Sequence, residues 1–497
     1  MGSHRFLAFD LGAESGRAVL GSLKDGTLDL KELYRFPNEP VLLNETLYWD
    51  LLSLYSHVIK GIREYTQRWG ESIDGIGFDT WGVDFGLLAR NGELLQNPVH
   101  YRDRRTDQVL NALLARIAPE ELFQQTGMSL LPINTSAQLF SLRAHRHPVL
   151  EWAETFLMMP DLMAYFLTGR KACERTNAIT TQLYNPWKQG WNREVLSKLD
   201  IPSHLMPELV DPGITLGELQ DSVLKKTGLK RGLLLSPCTH DTASAVAAVP
   251  ATGDRWAFLS SGTWSILGAL NETVVTSSEA FQAGIFNELT LKSFFVCRNI
   301  MGLWLLQQAR AGWQRQGQRY SYQELTELAE QSPSSGAFID PDDLRFLAPE
   351  EMLQAIREYC QQTGQLVPQG VGEITRCILE SLALAYRQKL EQLSSILGRS
   401  FETLHIVGGG SQNALLCQLT ANAIGLPVVA GPAEATVAGN VMVQAYALGC
   451  VASPVEIRTV VRNSSSLLEY GPRDGSRWDD SYETFLRLTR AGGRKLV

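Results

Sequence analysis

Apolar and polar positions in this chain write one small unit twice. Phe6-Leu7-Ala8-Phe9-Asp10-Leu11-Gly12 is an apolar run that closes on an acid and a glycine, and Ala18-Val19-Leu20-Gly21 follows. Ala257-Phe258-Leu259-Ser260-Ser261-Gly262 likewise closes on a polar residue, here serine, and a glycine, and is followed by Trp264-Ser265-Ile266-Leu267-Gly268. Each pattern predicts strand, tight turn, strand. A glycine at the bend has no Cβ, so backbone N–H groups there can approach an oxyanion and form a small anion-binding nest. Two such hairpins, about 250 residues apart, predict a duplicated domain that grips one polyphosphate between its halves.

The remaining periodicity fills in both halves. Thr27 to Phe36 alternates as a strand, Leu51 to Trp69 has helical spacing, and Ile73 to Phe78 is an apolar strand ending at Asp79-Thr80-Trp81-Gly82. Val83 to Ala89 returns through the hairpin signal Arg90-Asn91-Gly92-Glu93. A helical, polar middle is expected from Asp107 to about Leu224, then a strand over Leu233 to Leu235 and a helix of small residues over Thr242 to Val249. Pro250-Ala251-Thr252-Gly253-Asp254 breaks the chain, and the expected domains are 1–246 and 247–497. The second half predicts a helix from Asn299 to Trp313, a loop around Pro333 to Pro341 and a long helix from Glu373 to Ile396. A strand from Leu404 to Val407 then runs into Gly408-Gly409-Gly410, followed by a helix from Asn413 to Ile424, a strand from Pro427 to Ala430, a helix from Ala435 to Leu448 and a last amphipathic helix near Asp479 to Arg490. Strands with helices between them give an α/β class of mixed sheets flanked by helices.

A chain of 497 residues is too long for one core and suits two large domains. Its net charge of −8 argues against nucleic acid or an anionic membrane as a partner, so a phosphate ligand must be met by local donors. No apolar run reaches membrane-spanning length, no secretory segment opens the chain, and the seven cysteines include no C-x-x-C pair. The expectation is a cytoplasmic protein with reduced thiols. Cys360 and Cys377 could meet if their segments pack together, but are read as two separate thiols. Gly2-Ser3-His4 resembles a cloning remnant and is set aside.

Candidate chemistry gathers at the strand ends. Asp10-Leu11-Gly12-Ala13-Glu14-Ser15-Gly16-Arg17 is no Walker A loop, since only three residues separate the glycines and Arg17 stands where Gly-Lys-Ser/Thr would continue. Asp10 could face a phosphate-bound Mg²⁺, with Arg17 and backbone amides taking phosphate oxygens; ordinary turn chemistry is the alternative. Asp84-Phe85-Gly86 and Ala348-Pro349-Glu350 mimic protein-kinase pieces, but Tyr101-Arg102-Asp103 follows the first of them in the wrong order. His240-Asp241-Thr242 lies at a strand-to-helix junction, where Asp241 fits either a helix N-cap or the one carboxylate base that phosphoryl transfer to a hydroxyl needs. His240 fits a structural or a substrate-contacting role. Asn299 and Gln307, eight residues apart on one predicted helix, would lie roughly 12 Å apart along its axis, about the span from an acceptor sugar to a nucleotide; solvated amides are the plainer reading. Gly408-Gly409-Gly410 lacks the dinucleotide spacing yet lets a flat ring or a phosphate lie on bare backbone. Zinc-site spacings are absent.

In this order, the Asp10 hairpin, Asp241, the Ser260 hairpin and the triple glycine resemble the sugar kinases of the FGGY family, within the actin/Hsp70/hexokinase-like ATPase superfamily. The resemblance covers nearly the whole chain. It is carried by Phe78-Asp79-Thr80-Trp81-Gly82-Val83-Asp84-Phe85, Tyr101-Arg102-Asp103-Arg104-Arg105-Thr106, His240-Asp241-Thr242-Ala243-Ser244-Ala245 and His405-Ile406-Val407-Gly408-Gly409-Gly410. It implies two duplicated actin/ribonuclease-H-like domains around a catalytic cleft, and transfer from ATP to O1 of a ketose, L-rhamnulose. It implies Asp241 as proton acceptor; Gly82, His240, Thr242 and Asn299 as sugar contacts; Ala13, Glu14, Ser15, Gly16, Arg17, Thr263, Gln307 and Gly409 as ATP contacts; and Mg²⁺ near Asp10. Glu14 departs from the smaller residue commoner in relatives, which puts its own contact in doubt. The partners implied are small molecules, with the chain a monomer or weak homo-oligomer. A kinase of another ketose such as L-fuculose, or an actin-like ATPase with no sugar acceptor, are the rival readings.

Overall fold

The computed structural model describes residues 3–473 and 475–491. Both hairpins form. His4–Leu11 and Ser15–Lys24 pair antiparallel with Asp10 opposite Arg17, and Trp256–Ser261 and Trp264–Asn271 pair with Ser261 opposite Ser265.

Each hairpin lies near the centre of a mixed sheet, and the two sheets repeat one another strand for strand. In the first, the order from one edge is Thr27–Pro37, Ser15–Lys24, His4–Leu11, Gly75–Thr80, Leu233–Ser236, Ile214–Glu218. In the second, it is Phe294–Met301, Trp264–Asn271, Trp256–Ser261, Thr403–Val407, Val428–Ala430, Leu468–Tyr470. The directions also match: two antiparallel pairings, two parallel ones, then an antiparallel edge. One strand, Phe286–Leu289, is added outside Phe294–Met301 and has no counterpart in the first sheet. The duplication inferred from two hairpins therefore extends to whole sheets.

Helix Leu51–Trp69 covers one face of the first sheet. Asp50 caps it by accepting from the Ser53 N–H, and its buried stripe Leu51, Leu54, Val58, Ile62 and Tyr65 has amphipathic spacing. The other face is covered from the second half of the chain. Helix Ala435–Ala447 is apolar nearly all round because it is sandwiched between the first sheet and helix Asp241–Ala247. Gly439 makes the helix crossing possible, since a Cβ there would sit 1.8 Å from the Ser244 carbonyl oxygen.

Two expectations fail. The stretch from Asp107 to Leu224 is neither continuously helical nor polar. Ala153–Met158 pairs with Phe85–Ala89, Ile214–Glu218 joins the first sheet, and Leu122, Phe123, Leu139, Phe156, Ile179 and Leu183 are buried. Helices Thr135–Ala144 and Met159–Thr168 are buried over most of their length, polar Ser136, Gln138 and Asp161 included, so burial there is not marked by an apolar pattern. Asn299 also does not begin a helix. It lies in strand Phe294–Met301, paired opposite Ile266, and the helix starts at Trp304. Pairing with the hairpin strand all along Phe294–Met301 overrides the local helical pattern, so Asn299 and Gln307 share no helix axis. Cys360 and Cys377 stay unbridged, although their thiols meet.

Gly439→Ala should force the two helices apart. A loss of about 1–3 kcal/mol, the usual range for overpacking, is expected as a lower denaturation midpoint in urea.

Candidate active site

Three neighbouring strands of the first sheet end side by side, and each delivers a carboxylate. Asp10 and Asp79 are paired across the parallel strands His4–Leu11 and Gly75–Thr80. The chain leaving Leu233–Ser236 then bridges Thr80 at His240, with the Thr80 N–H donating to the Thr239 carbonyl at 2.9 Å, so Asp241 arrives beside both. Asp10 Oδ2 accepts from Arg17 Nε (2.9 Å) and Nη2 (2.8 Å), and Arg17 Nη1 also meets Glu434 at 2.5 Å. Asp79 is buried; its Oδ2 accepts from Asn440 Nδ2 at 2.6 Å and its Oδ1 has no hydrogen-bond partner among the described residues. Burial first, and then the charge of Asp10, hold the Asp79 carboxyl well above the ordinary range.

Asp241 is about one-third exposed, with its side chain 35% accessible. Burial raises its pKa, the adjacent His240 opposes the shift, and Asp10 adds to it. His240 lies between carboxylates, with Nε2 3.3 Å from Asp241 Oδ1 and Nδ1 2.9 Å from Glu288 Oε2. Burial alone would lower its pKa, but Glu288 and then Asp241 carry it up to about 9. Glu174 pins the segment behind them: its Oε2 accepts from the Thr239 N–H (3.0 Å) and Oγ1 (2.7 Å) and from Thr176 Oγ1 (2.5 Å).

Gly82 and Val83 follow Thr80, the residue that bridges to His240. A Cβ on Gly82 would meet the Thr180 side chain at 2.9–3.0 Å. Val83 has φ 68°, a left-handed conformation that costs a β-branched residue about 1–3 kcal/mol. It is held there by its N–H donating to Thr180 Oγ1 (3.0 Å) and its carbonyl accepting from Thr135 Oγ1 (2.6 Å) and Gln138 Nε2 (3.3 Å). Behind it, buried Asp84 gathers an aromatic cluster. Its Oδ2 accepts from Trp49 Nε1 (2.6 Å), Trp81 Nε1 (3.0 Å) and the Tyr101 N–H (3.2 Å), and its Oδ1 from Gln138 Nε2 (3.0 Å). Trp49 lies 4.1 Å from Trp81 and 4.0 Å from His100, ring centre to ring centre. Burial pushes the Asp84 carboxyl up to about 6 despite these donors.

The second lobe contributes its own strand ends. Ser260 and Val407 are partners on adjacent parallel strands, which sets the turn Gly262-Thr263 beside Gly408-Gly409-Gly410. The Thr263 hydroxyl accepts from Gln307 Nε2 at 3.2 Å, and the Gly262 and Thr263 carbonyls accept the Leu303 and Trp304 N–H groups at the start of helix Trp304–Arg315. A Cβ on Gly410 would strike Ser261 Oγ at 2.0 Å, whereas one on Gly409 would meet nothing within 4 Å, so Gly409 presents open backbone. Asn299 is exposed on the sheet face that, further along, packs Cys297 and Phe286 toward helix Asp241–Ala247.

The structure thus brings Asp10, Arg17, Gly82, His240, Asp241 and Thr242 into one group, and Thr263, Gln307 and Gly409 into another. Ala13, Glu14, Ser15 and Gly16 form the first hairpin's bend, with Glu14 exposed. Asp79, Asp84, Glu174, Glu288, Glu434 and Asn440 were given no site role from the sequence. Asp79 and Asp84 do lie inside the Asp-Thr-Trp-Gly-Val-Asp run, but Glu288 and Glu434 have no local signal at all.

Glycine turns at the strand ends of both lobes and a partly exposed carboxylate at a helix start are parts that a phosphotransferase uses. The comparisons with known proteins agree. The N-terminal domain of the FGGY family of carbohydrate kinases matches residues 5–248, and the C-terminal domain matches residues 257–448. The chain belongs to this family and is an ATP-dependent sugar kinase. It is 44% identical over 486 residues to a rhamnulokinase of Bacteroides thetaiotaomicron, covering 98% of this chain and 99% of the relative, and 40% identical over 488 residues to a rhamnulokinase of Enterococcus faecalis, covering 97% of each. Its fold matches the crystal structure of a gluconate kinase from Lactobacillus acidophilus with TM-score 0.80 at 16% identity, over 99% of this chain and 98% of that one.

Asp84 has a folded-state pKa of about 6, above about 3.9 for an unfolded Asp, so folding takes up a proton between these values. Its contribution to stability therefore falls as pH rises from about 4 to 6. Measured against Asp84→Asn in urea titrations, the wild type should lose roughly 2–3 kcal/mol across that window and stay level above it.

Proposed function

We propose that this chain phosphorylates L-rhamnulose at O1, yielding L-rhamnulose 1-phosphate and ADP. The observation that carries the reading is the placement of Asp241. It is an accessible carboxylate at a helix start, next to His240, which bridges to the strand end before Gly82, and close enough to Asp10 for the two charges to interact. High identity to rhamnulokinases over the full chain supports the ketose.

In this reading, Gly82, His240, Thr242 and Asn299 hold the sugar, and Asp241 accepts the O1 proton as that oxygen attacks in line. The bend Ala13 to Arg17 and the residues Thr263, Gln307 and Gly409 take the ATP, with backbone N–H groups at both bends meeting phosphate oxygens. Arg17 is already engaged by Asp10 and Glu434 through Nε, Nη2 and Nη1, which leaves it further N–H donors for a phosphate oxygen. Mg²⁺ bound with the nucleotide would neutralise charge on the transferring phosphoryl group. Asp10 and Asp79 Oδ1, unpartnered among the described residues, suit it, since Mg²⁺ commonly takes one or two carboxylates together with substrate phosphates.

Asp241→Asn should retain ATP binding by calorimetry and lose about a hundred- to ten-thousand-fold in turnover; near-normal turnover would remove the assignment. A panel of ketoses in an ADP-release assay should rank L-rhamnulose first. A higher kcat/KM for L-fuculose would replace the substrate but leave the reaction class in place.

A further inference from the structure

The segment that leads into Asp241 is hydrogen-bonded at every backbone polar group from the Cys238 carbonyl to the His240 carbonyl. The Cys238 carbonyl accepts from Ser244 Oγ (2.6 Å), and the Thr239 carbonyl accepts from the Thr80 N–H (2.9 Å) and Asn177 Nδ2 (3.2 Å). The His240 N–H donates to Thr176 Oγ1 (3.3 Å), and the His240 carbonyl accepts from the Ser244 N–H (3.0 Å). The Thr239 N–H donates to Glu174 Oε2. Glu174 ends strand Ala172–Glu174, is wholly buried, and caps helix Arg175–Ala178 by accepting the Thr176 N–H at Oε1 (2.8 Å). A shorter Asp, Ser or Thr would serve as a cap. The longer side chain carries its second oxygen across to Thr239, so that four donors, two from Thr176 and two from Thr239, converge on one carboxylate. Because Thr176 Oγ1 also takes the His240 N–H, Glu174 reaches both residues that precede Asp241.

We infer that Glu174 is a positioning residue for phosphoryl transfer: by fixing the Thr239–His240 backbone, it sets where the Asp241 carboxylate stands when the ketose hydroxyl arrives. The inference rests on the reading of Asp241 as the base. Asp241 Oδ1 accepts from the Thr242 N–H (2.6 Å) and Oγ1 (3.2 Å) and lies 3.3 Å from His240 Nε2. These partners are its own chain neighbours and move with it, so anchorage of the backbone locates the base. A base must lie within hydrogen-bond reach of the proton it takes, and a misplacement of about 1 Å can cost about a hundredfold in rate. During transfer the ketose O1 bonds to phosphorus, the bond to the bridging oxygen of ADP breaks, and the O1 proton passes to Asp241. Glu174 exchanges no proton. Thr80, Asn177 and Ser244 still hold the segment when Glu174 is changed, so the base is displaced while the fold persists.

Glu174→Gln is isosteric, but its amide N–H₂ must face donors of Thr176 or Thr239, so at least one of these bonds is lost whichever way the amide lies. With active sites counted by ATP-binding stoichiometry in calorimetry, kcat for the ketose should fall about a hundredfold, and the Kd for ATP should stay near wild type. The ratio of ADP released to ketose phosphate formed should rise, because water competes better when transfer to the sugar is slow. Loss of folded protein would lower both products together and leave this ratio unchanged. Thr176→Val cuts the link from Glu174 to the His240 N–H without altering a charge. It should move kcat and the ratio in the same direction, and it decides the matter if Glu174→Gln does not fold. Near-normal kcat per ATP site, a loss explained by weaker ATP binding, or a constant ratio would overturn the inference. Asp241→Asn, measured alongside, separates the two claims. If it turns over near normally, the base assignment itself fails; if it is inactive while Glu174→Gln turns over at the wild-type rate, only the role of Glu174 falls.

Discussion

Everything at this site follows from one electrostatic constraint. Three carboxylates, Asp10, Asp79 and Asp241, are brought together at the ends of neighbouring strands, where like charges repel and burial, complete for Asp79 and partial for Asp241, disfavours ionisation. Each has its own remedy. Asp10 is neutralised by Arg17, Asp79 is pushed toward its neutral form and hydrogen-bonded by Asn440, and Asp241 is kept beside His240. The remedies come from both lobes: Asn440 and Glu434 from the Ala435–Ala447 region, and Glu288 from the added edge strand. The charge balance of the first lobe is therefore completed by the second.

The same helix that brings Asn440 also joins the lobes. Ala435–Ala447 carries its apolar side chains into a core shared with Phe6, Ala8 and Val19 of the first sheet and Phe258 and Phe295 of the second. Polar Asn440 and Gln444 are buried within it and bond to each other and to first-lobe groups, Asp79 and the Leu7 carbonyl. Buried polar groups of this kind fix an orientation because any slip leaves them unpaired. Packing at Gly439 sets how closely the helices cross, and the hydrogen bonds set their rotation.

Around Val83, order comes from strain that its neighbours hold in place. Val83 keeps its left-handed backbone because Thr135, Gln138 and Thr180 take its peptide groups, and Asp84, the next residue, fixes two indoles and the Tyr101 backbone. A segment built this way is stiff, which is what stereochemical discrimination among ketoses requires.

By itself the sequence determined the duplicated α/β plan, most element positions, the glycine turns and the residues Asp10, His240 and Asp241, because these are local: alternation, glycine at a bend, an acid at a strand end. Helix Leu51–Trp69 was legible to the residue for the same reason, since its apolar stripe and its flanking Asp50 and Gly70 all lie in one stretch of chain. Only the tertiary structure decided that Asn299 is on a strand, because the pairing that makes it one lies some thirty residues upstream. It also decided the buried strands and helices between Asp107 and Leu224, where buried polar residues such as Ser136, Gln138, Asp161 and Thr176 blur the apolar pattern. Glu288, Glu434 and Asn440 belong here as well. Each acts on a residue roughly 50 to more than 400 positions away, and a charge pair between distant segments leaves no periodicity in the chain to read.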